Sequence, residues 1–180
     1  MAESSLDTVS QKPIGERRQQ QVLRATYDCL RRAREIYRRE FAVIPVTFDL
    51  CGRAAGMYRV RNDQRSIRYN PYLFAKYFAD SLSATVPHEV AHYVTDILYG
   101  MHSIRPHGLE WRAVMCSLGA EPRATGRYEL AGVPVRRQRR YTYRCGCTTH
   151  LLSACRHNRL HSGKVRYHCR LCGRPIVYQG

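Results

Sequence analysis

The chain has 180 residues, 30 of them Lys or Arg against 14 Asp or Glu, for a net charge of +16. That length suits one moderate core plus a small appended module and excludes two large domains. No run approaches the roughly 20 apolar residues of a membrane span and the polar start lacks a signal-peptide core, so a cytoplasmic protein with no membrane contact is expected.

Residues 1–15 read as a disordered tail. Residues 17–41 place Val22, Thr26, Cys29, Leu30, Ala33, Ile36 and Tyr37 at helical spacing and predict one long amphipathic helix. Its arginines Arg31, Arg32, Arg38 and Arg39 read as a solvated face. Residues 43–50, 54–60 and 66–70 read as strands, with Asn62-Asp63 marking a hairpin turn. Asn70-Pro71 starts a short helix to about residue 78, and residues 81–99 form a buried helix through Leu82, Val86, Val90, Val94, Ile97 and Leu98. A further helix opens at Pro106-His107-Gly108 and stops at Gly119. Residues 121–140, with Pro122, Gly126, Gly132 and Pro134, read as a connector of mixed strand and loop. The fold class is α+β: helices and a small sheet over residues 16–130, then a small β module over 131–180.

The buried helix carries His88-Glu89-Val90-Ala91-His92. Histidines four apart lie about 40° apart around a helix and can reach one metal ion. Glu89 sits close enough to take a proton from water without ligating the metal. Unpaired polar groups in a core are costly, so a buried helix with two histidines and a glutamate calls for an ion such as zinc. The candidates for a third ligand are His102, His107 and Glu110; His107 is favoured, because it stands at the mouth of the next helix and can turn back. Leu98, six residues after His92, excludes the metzincin arrangement. Three protein ligands leave a fourth position open, the arrangement of a catalytic zinc. Asp96 reads equally as a partner orienting a ligand imidazole or as an ordinary surface acid. Tyr93, His102 and Arg105 are all candidate oxyanion donors.

Charge is concentrated at one end. Residues 131–180 hold eleven Lys or Arg and no acid, whereas the first 130 hold nineteen bases and all fourteen acids. A basic, tyrosine-bearing module suits a phosphate backbone, and Arg136, Arg137, Arg139, Arg140, Arg156, Arg159, Lys164 and Arg166 are its candidate contacts. For Tyr141, Tyr143, Tyr167 and Tyr178, core packing competes evenly with base stacking. Cys145-Gly146-Cys147 and Cys169-Arg170-Leu171-Cys172 form two knuckles 21 residues apart, the pattern of a structural zinc ribbon in which metal replaces a core. The tight first knuckle makes His150 an alternative ligand; Cys155, His157 and His168 are weaker ones. Cys29, Cys51 and Cys116 read as ordinary buried thiols.

The segments Val86-Pro87-His88-Glu89-Val90-Ala91-His92, Pro106-His107-Gly108-Leu109-Glu110-Trp111, Tyr143-Arg144-Cys145-Gly146-Cys147, Arg156-His157-Asn158-Arg159 and Tyr167-His168-Cys169-Arg170-Leu171-Cys172-Gly173 together closely resemble the SprT family, bacterial proteins related to the Spartan proteases of eukaryotes. The resemblance runs from about residue 17 to 178. It implies a minimal zincin-like metalloprotease domain followed by a zinc-ribbon-like module, with His88, His92 and His107 as ligands of a catalytic zinc and Glu89 as the base. It also implies action on proteins bound or crosslinked to DNA.

Motif and charge together lead to the expectation of a monomeric zinc-dependent endopeptidase. It would hold one catalytic and one structural zinc, with DNA, single strands included, and DNA-bound proteins as partners, and a nucleoid-associated location if bacterial. The alternative is a non-proteolytic zinc protein that binds nucleic acid as a regulator of transcription or RNA metabolism. A metal-dependent hydrolase of small substrates is weaker, because nothing marks a small-ligand pocket.

Overall fold

The computed structural model describes residues 11–124, 126, 128–135 and 139–180. The first ten residues of the expected tail, and Arg136 and Arg137, lie outside the described residues. The chain divides into two compact units, with the boundary between residues 135 and 136. Among the described residues no helix is long and apolar enough to cross a membrane.

In the first unit, α1 (Glu16–Tyr37) buries Val22, Thr26, Leu30 and Ala33 along one face. It ends where Arg38 turns left-handed (φ 46°), short of the expected residue 41. The expected strand at 43–50 shrinks to β1 (Val46–Thr47), parallel to β3 (Gln64–Tyr69). Pro45 just before it has no N–H to offer a ladder, and Asp49 just after it is drawn to the Arg68 guanidinium at 2.9 Å. Between them in sequence, β2 (Gly56–Arg61) pairs antiparallel with β3 across Asn62 and Asp63, whose positive φ values suit a tight hairpin. The order β1-β3-β2 puts β2 at one edge of the sheet and β1 at the other.

Asn70 caps α2 (Pro71–Lys76) by accepting the N–H groups of Tyr72 and Leu73. The three-residue α3 (Phe78–Asp80) and a π-helical turn (Ser81–Thr85) lead into α4 (Val86–Tyr99), so the expected helix at 81–99 begins with a widened turn. α4 closes at Gly100 (φ 82°), and α5 (Leu109–Ser117) follows. Val22, Ile67, Tyr69, Phe74, Val90, Val94 and Trp111 form the centre of the core between helices and sheet.

Two boundary expectations are corrected. Residues 11–15 are not a free tail: Ile14 is buried, and its N–H bonds the Pro71 carbonyl at 3.0 Å. Residues 131–135 belong to the first unit, because Val133 is buried with Ala55 and Leu73 while Gly132 and Pro134 accept N–H groups from Gln11 and Gly52. The described residues from 121 to 135 contain no strand, so the expected mixed connector is loop up to that point.

In the second unit, β4 (Arg140–Arg144) lies between β5 (Thr149–Ser153) and β6 (Val177–Tyr178), all antiparallel. A polar helix, α6 (Ala154–His161), which was not expected, accompanies the strands of the small β module. Its core is small: Tyr143, Leu152, Cys169 and Ile176.

Candidate active site

α4 presents two neighbouring faces. His88 and His92 share one, and Glu89, Tyr93 and Asp96 share the next, because successive members of each set are three or four residues apart. Past Gly100 the chain doubles back, and His107 sits at the mouth of α5 in a left-handed conformation (φ 58°). Few non-glycine residues adopt that conformation unless neighbours hold them there. The neighbour here is Trp111, whose ring lies 4.7 Å from the His107 ring, 4.8 Å from His88 and 5.6 Å from His92. Its indole N–H also points at the His88 carbonyl, at 3.4 Å.

The structure brings His88, His92 and His107 together; neither His102 nor Glu110 joins them. Their Nε2 atoms form a nearly equilateral triangle with sides of 3.2, 3.1 and 3.1 Å. Nitrogens that bind zinc at about 2.0–2.1 Å in a near-tetrahedral site lie about 3.1–3.4 Å apart, so the triangle fits such an ion without rearrangement. Three converging lone pairs also repel one another in the absence of a shared cation or proton. Burial, then the charge of His107, pushes His88 down to about 4, against a bond to the Arg123 backbone that pulls the other way. Burial and the two other histidines push His92 down to about 3, and burial lowers His107 as well. All three are therefore neutral at pH 7, the form that ligates metal.

Glu89 is 5% exposed, and burial pushes its carboxyl up to about 7, opposed by the Tyr58 N–H, which donates to Oε2 at 2.6 Å. Gly56 passes so close that a Cβ there would lie 2.6 Å from Glu89 Cγ and Oε1. Only glycine fits. Gly56, Thr85, His88, Glu89, Met115 and Tyr128 line an open cleft of about 920 Å³. Tyr128 joins it through a hydrogen bond of 3.0 Å with Thr85 Oγ1, and sequence reasoning had not singled it out.

Asp96 orients no imidazole and is no surface acid. It is buried and accepts from Tyr58 Oη (2.6 Å), Arg65 Nε (2.7 Å) and the Met101 N–H (2.9 Å). Burial raises its pKa, but those bonds outweigh it and hold the carboxyl below its ordinary value. Tyr93 is likewise withdrawn as an oxyanion donor, since it is buried and its hydroxyl donates to the Ala42 carbonyl. His102 and Arg105 lie exposed in the loop between α4 and α5.

In the second unit, Cys145, Cys147, Cys169 and Cys172 converge with their sulfurs all within 4.8 Å. Cys145 to Cys147 is 3.4 Å and Cys147 to Cys169 is 3.7 Å, close to the roughly 3.8 Å between thiolates on a tetrahedral zinc. The knuckle geometry supplies N–H donors to sulfur. The Cys147 backbone N–H leads in pushing Cys145 down to about 5, and those of Cys172 and Leu171 lower Cys169. Gly173 (φ 68°) permits the second knuckle to close. His150 stands outside the four, its Nε2 3.3 Å from Cys145 Sγ, and that contact raises its pKa. Cys155 is exposed on α6, His157 stacks on Tyr141 and bonds the Tyr143 hydroxyl, and His168 bridges to Pro175; none joins the cluster. Elsewhere, Cys51 and Cys116 are exposed rather than buried, and Cys29 is half-buried.

Arg139, Arg140, Arg156, Arg159, Lys164 and Arg166 are all exposed. Tyr143 is fully buried and is core; Tyr141 stacks on the His157 ring at 3.6 Å, with the Arg139 guanidinium 5.1 Å from its centroid.

The SprT-like family model matches residues 26–138, which include the histidine triangle. Protein SprT of Vibrio parahaemolyticus is 38% identical over 154 residues, 85% of this chain and 89% of that protein. Protein SprT of Pseudomonas paraeruginosa is 37% identical over 155 residues, 84% and 90% of the two chains. The Klebsiella pneumoniae protein SprT is 36% identical over 160 residues, 88% and 92%. No solved structure matches. With the family's model covering the histidines and these relatives aligned over both units, the chain belongs to the SprT-like family.

Proposed function

We propose that the protein is a zinc-dependent endopeptidase whose second unit brings it to nucleic acid and so to proteins held on it. The observation that carries the proteolytic half is the pairing of the neutral histidine triangle with a buried carboxylate on the adjacent face of α4, where His88 and Glu89 both line an open cleft. His88, His92 and His107 would hold the ion. Zinc bound there supplies a Lewis acid that polarises a scissile carbonyl and acidifies water. Glu89, poised near neutrality by burial, takes the proton of the attacking water and passes it to the departing amine. The cleft is open and its wall at Gly56 is the start of the edge strand β2, which suits an extended peptide rather than a small molecule.

Four cysteines at ribbon spacing and distance suit a second, structural zinc, needed where the module's own core is four residues. An acid-free surface with nine exposed bases among the described residues suits phosphates, and tethering raises the local concentration of substrates on the same strand. Degradation of DNA-bound or DNA-crosslinked proteins is the role this combination supports.

The test is Glu89→Gln. Loss of peptide cleavage with zinc content and DNA binding retained is the expected result. Wild-type protein with two zinc ions that cleaves nothing, with or without DNA, supports the non-proteolytic regulator instead.

A further inference from the structure

Strand β2 meets α4 twice through one residue. The Tyr58 N–H donates to Glu89 Oε2 at 2.6 Å, and the Tyr58 hydroxyl donates to Asp96 Oδ2, also at 2.6 Å. Glu89 and Asp96 stand seven residues apart, two turns along one face of α4, with Tyr93 between them and its ring 5.9 Å from that of Tyr58. Because β2 is an edge strand, the Tyr58 N–H on its open edge has no strand partner and is free to serve the carboxylate. Asp96 in turn receives Arg65 from β3 and the Met101 N–H from the loop that leads to His107.

The geometry points to Tyr58 as the positioning residue of the base, held in place by Asp96 and Arg65. Its main chain fixes one oxygen of Glu89, and its phenol fixes its own main chain against the helix. Oε2 is thereby committed, and Oε1, beside the space left by Gly56, is the oxygen left for proton transfer. Tyr58 is not among the residues that line the cleft, and it acts through Glu89. Charge-assisted bonds at 2.6–2.7 Å in a buried setting are strong enough to hold a strand against a helix. A base displaced by as little as an ångström loses much of its effect.

The inference rests on the proteolytic reading, and its test separates the two. Tyr58→Phe, Asp96→Asn and the double variant are made in the full chain and checked for zinc content and thermal midpoint. Amide hydrogen exchange at residue 58 is measured in the metal-free proteins, with Glu89→Ala as the unprotected reference. In both single variants, exchange at residue 58 is expected to quicken about tenfold while the α4 amides keep their protection. In the zinc-loaded proteins kcat is expected to fall about tenfold to a hundredfold, with KM and zinc content unchanged, because substrate binding is not touched. The double variant is expected to be no worse than the poorer single one, since both act through one contact. If Tyr58→Phe does not fold, Asp96→Asn, which keeps shape and an acceptor oxygen, is judged alone. Exchange and kcat both at wild-type levels in a folded variant overturn the inference and leave the proteolytic reading standing. Quickened exchange in a protein whose wild type cleaves nothing supports the positioning and overturns the proteolytic reading.

Discussion

Titratable groups of opposite type meet on one turn of α4, and they pull the pH dependence of the metal-free protein in opposite directions. His88 and His92 are pushed down to about 4 and 3 in the fold but titrate near 6.5 when unfolded. The unfolded chain therefore takes up protons first, and stability present above pH 6.5 is lost as pH falls toward 4. Glu89 works in the other sense. Its folded value of about 7 lies above the unfolded carboxyl near 4.3, so its contribution is intact in acid and is lost as pH rises through 7. The two effects oppose one another between about pH 4.3 and 6.5, so urea unfolding of the metal-free protein is expected to show stability rising from acid to near neutrality. Glu89→Gln is expected to be more stable than wild type by about 3 kcal/mol above pH 7 but little changed below pH 4. A variant no more stable than wild type above pH 7 would place the titrating group elsewhere. A neighbouring position tests space rather than charge. Gly56→Ala puts a methyl where Glu89 lies, so kcat is expected to fall at least about a hundredfold with zinc content kept, and a peptide assay on zinc-loaded protein reads it. His88, Glu89 and His92 were legible in the sequence because helical periodicity places them. Gly56, Tyr58 and Asp96 were not, because they meet across 31 to 38 residues, and no local pattern records such a pairing.

Elements inferred from periodicity are present where side chains alone decide them and differ where backbone partners do. α1, α4 and the β2–β3 hairpin follow apolar spacing and turn chemistry. β1 is cut to two residues by a proline and an ion pair, and α6 was missed because a helix with no buried residue leaves no apolar period to read. The N-terminal segment shows the same limit: one isoleucine among polar residues reads as tail, yet Ile14 is 3% exposed and its backbone is bonded to the start of α2. Ile14→Ala is accordingly expected to cost about 2–4 kcal/mol, the range for truncating a buried aliphatic side chain, and to lower the thermal midpoint by several degrees. A midpoint within a degree of wild type would mean that residues 11–15 do not stay docked in solution.

At the scale of the whole molecule, charge divides the labour that geometry divides at the scale of the unit. The cleft unit mixes both signs and carries the histidine triangle; the second unit has no acid and carries the thiol cluster. If each cluster holds one ion, zinc content is two per chain; His88→Ala removes one and Cys172→Ser the other. Neither substitution reaches the other unit's site, so each loss is expected to be independent. On the proposed reading, DNA binding by the second unit would depend on released counterions, at about 0.7–0.9 per phosphate neutralised. Arg156, Arg159, Lys164 and Arg166 are exposed and none is paired to an acid among the described residues, so each is available to a phosphate. Changing all four to alanine is expected to make the slope of log affinity against log salt shallower by about 3, measured by fluorescence anisotropy on a labelled oligonucleotide. Zinc stays at two per chain, since none of the four is a thiol or imidazole. Peptide cleavage without DNA is expected to remain while cleavage of a DNA-bound substrate falls with the lost affinity. An unchanged salt slope would move the nucleic-acid contact off this surface, and equal loss of both activities would show that the second unit serves the cleft rather than the substrate's address.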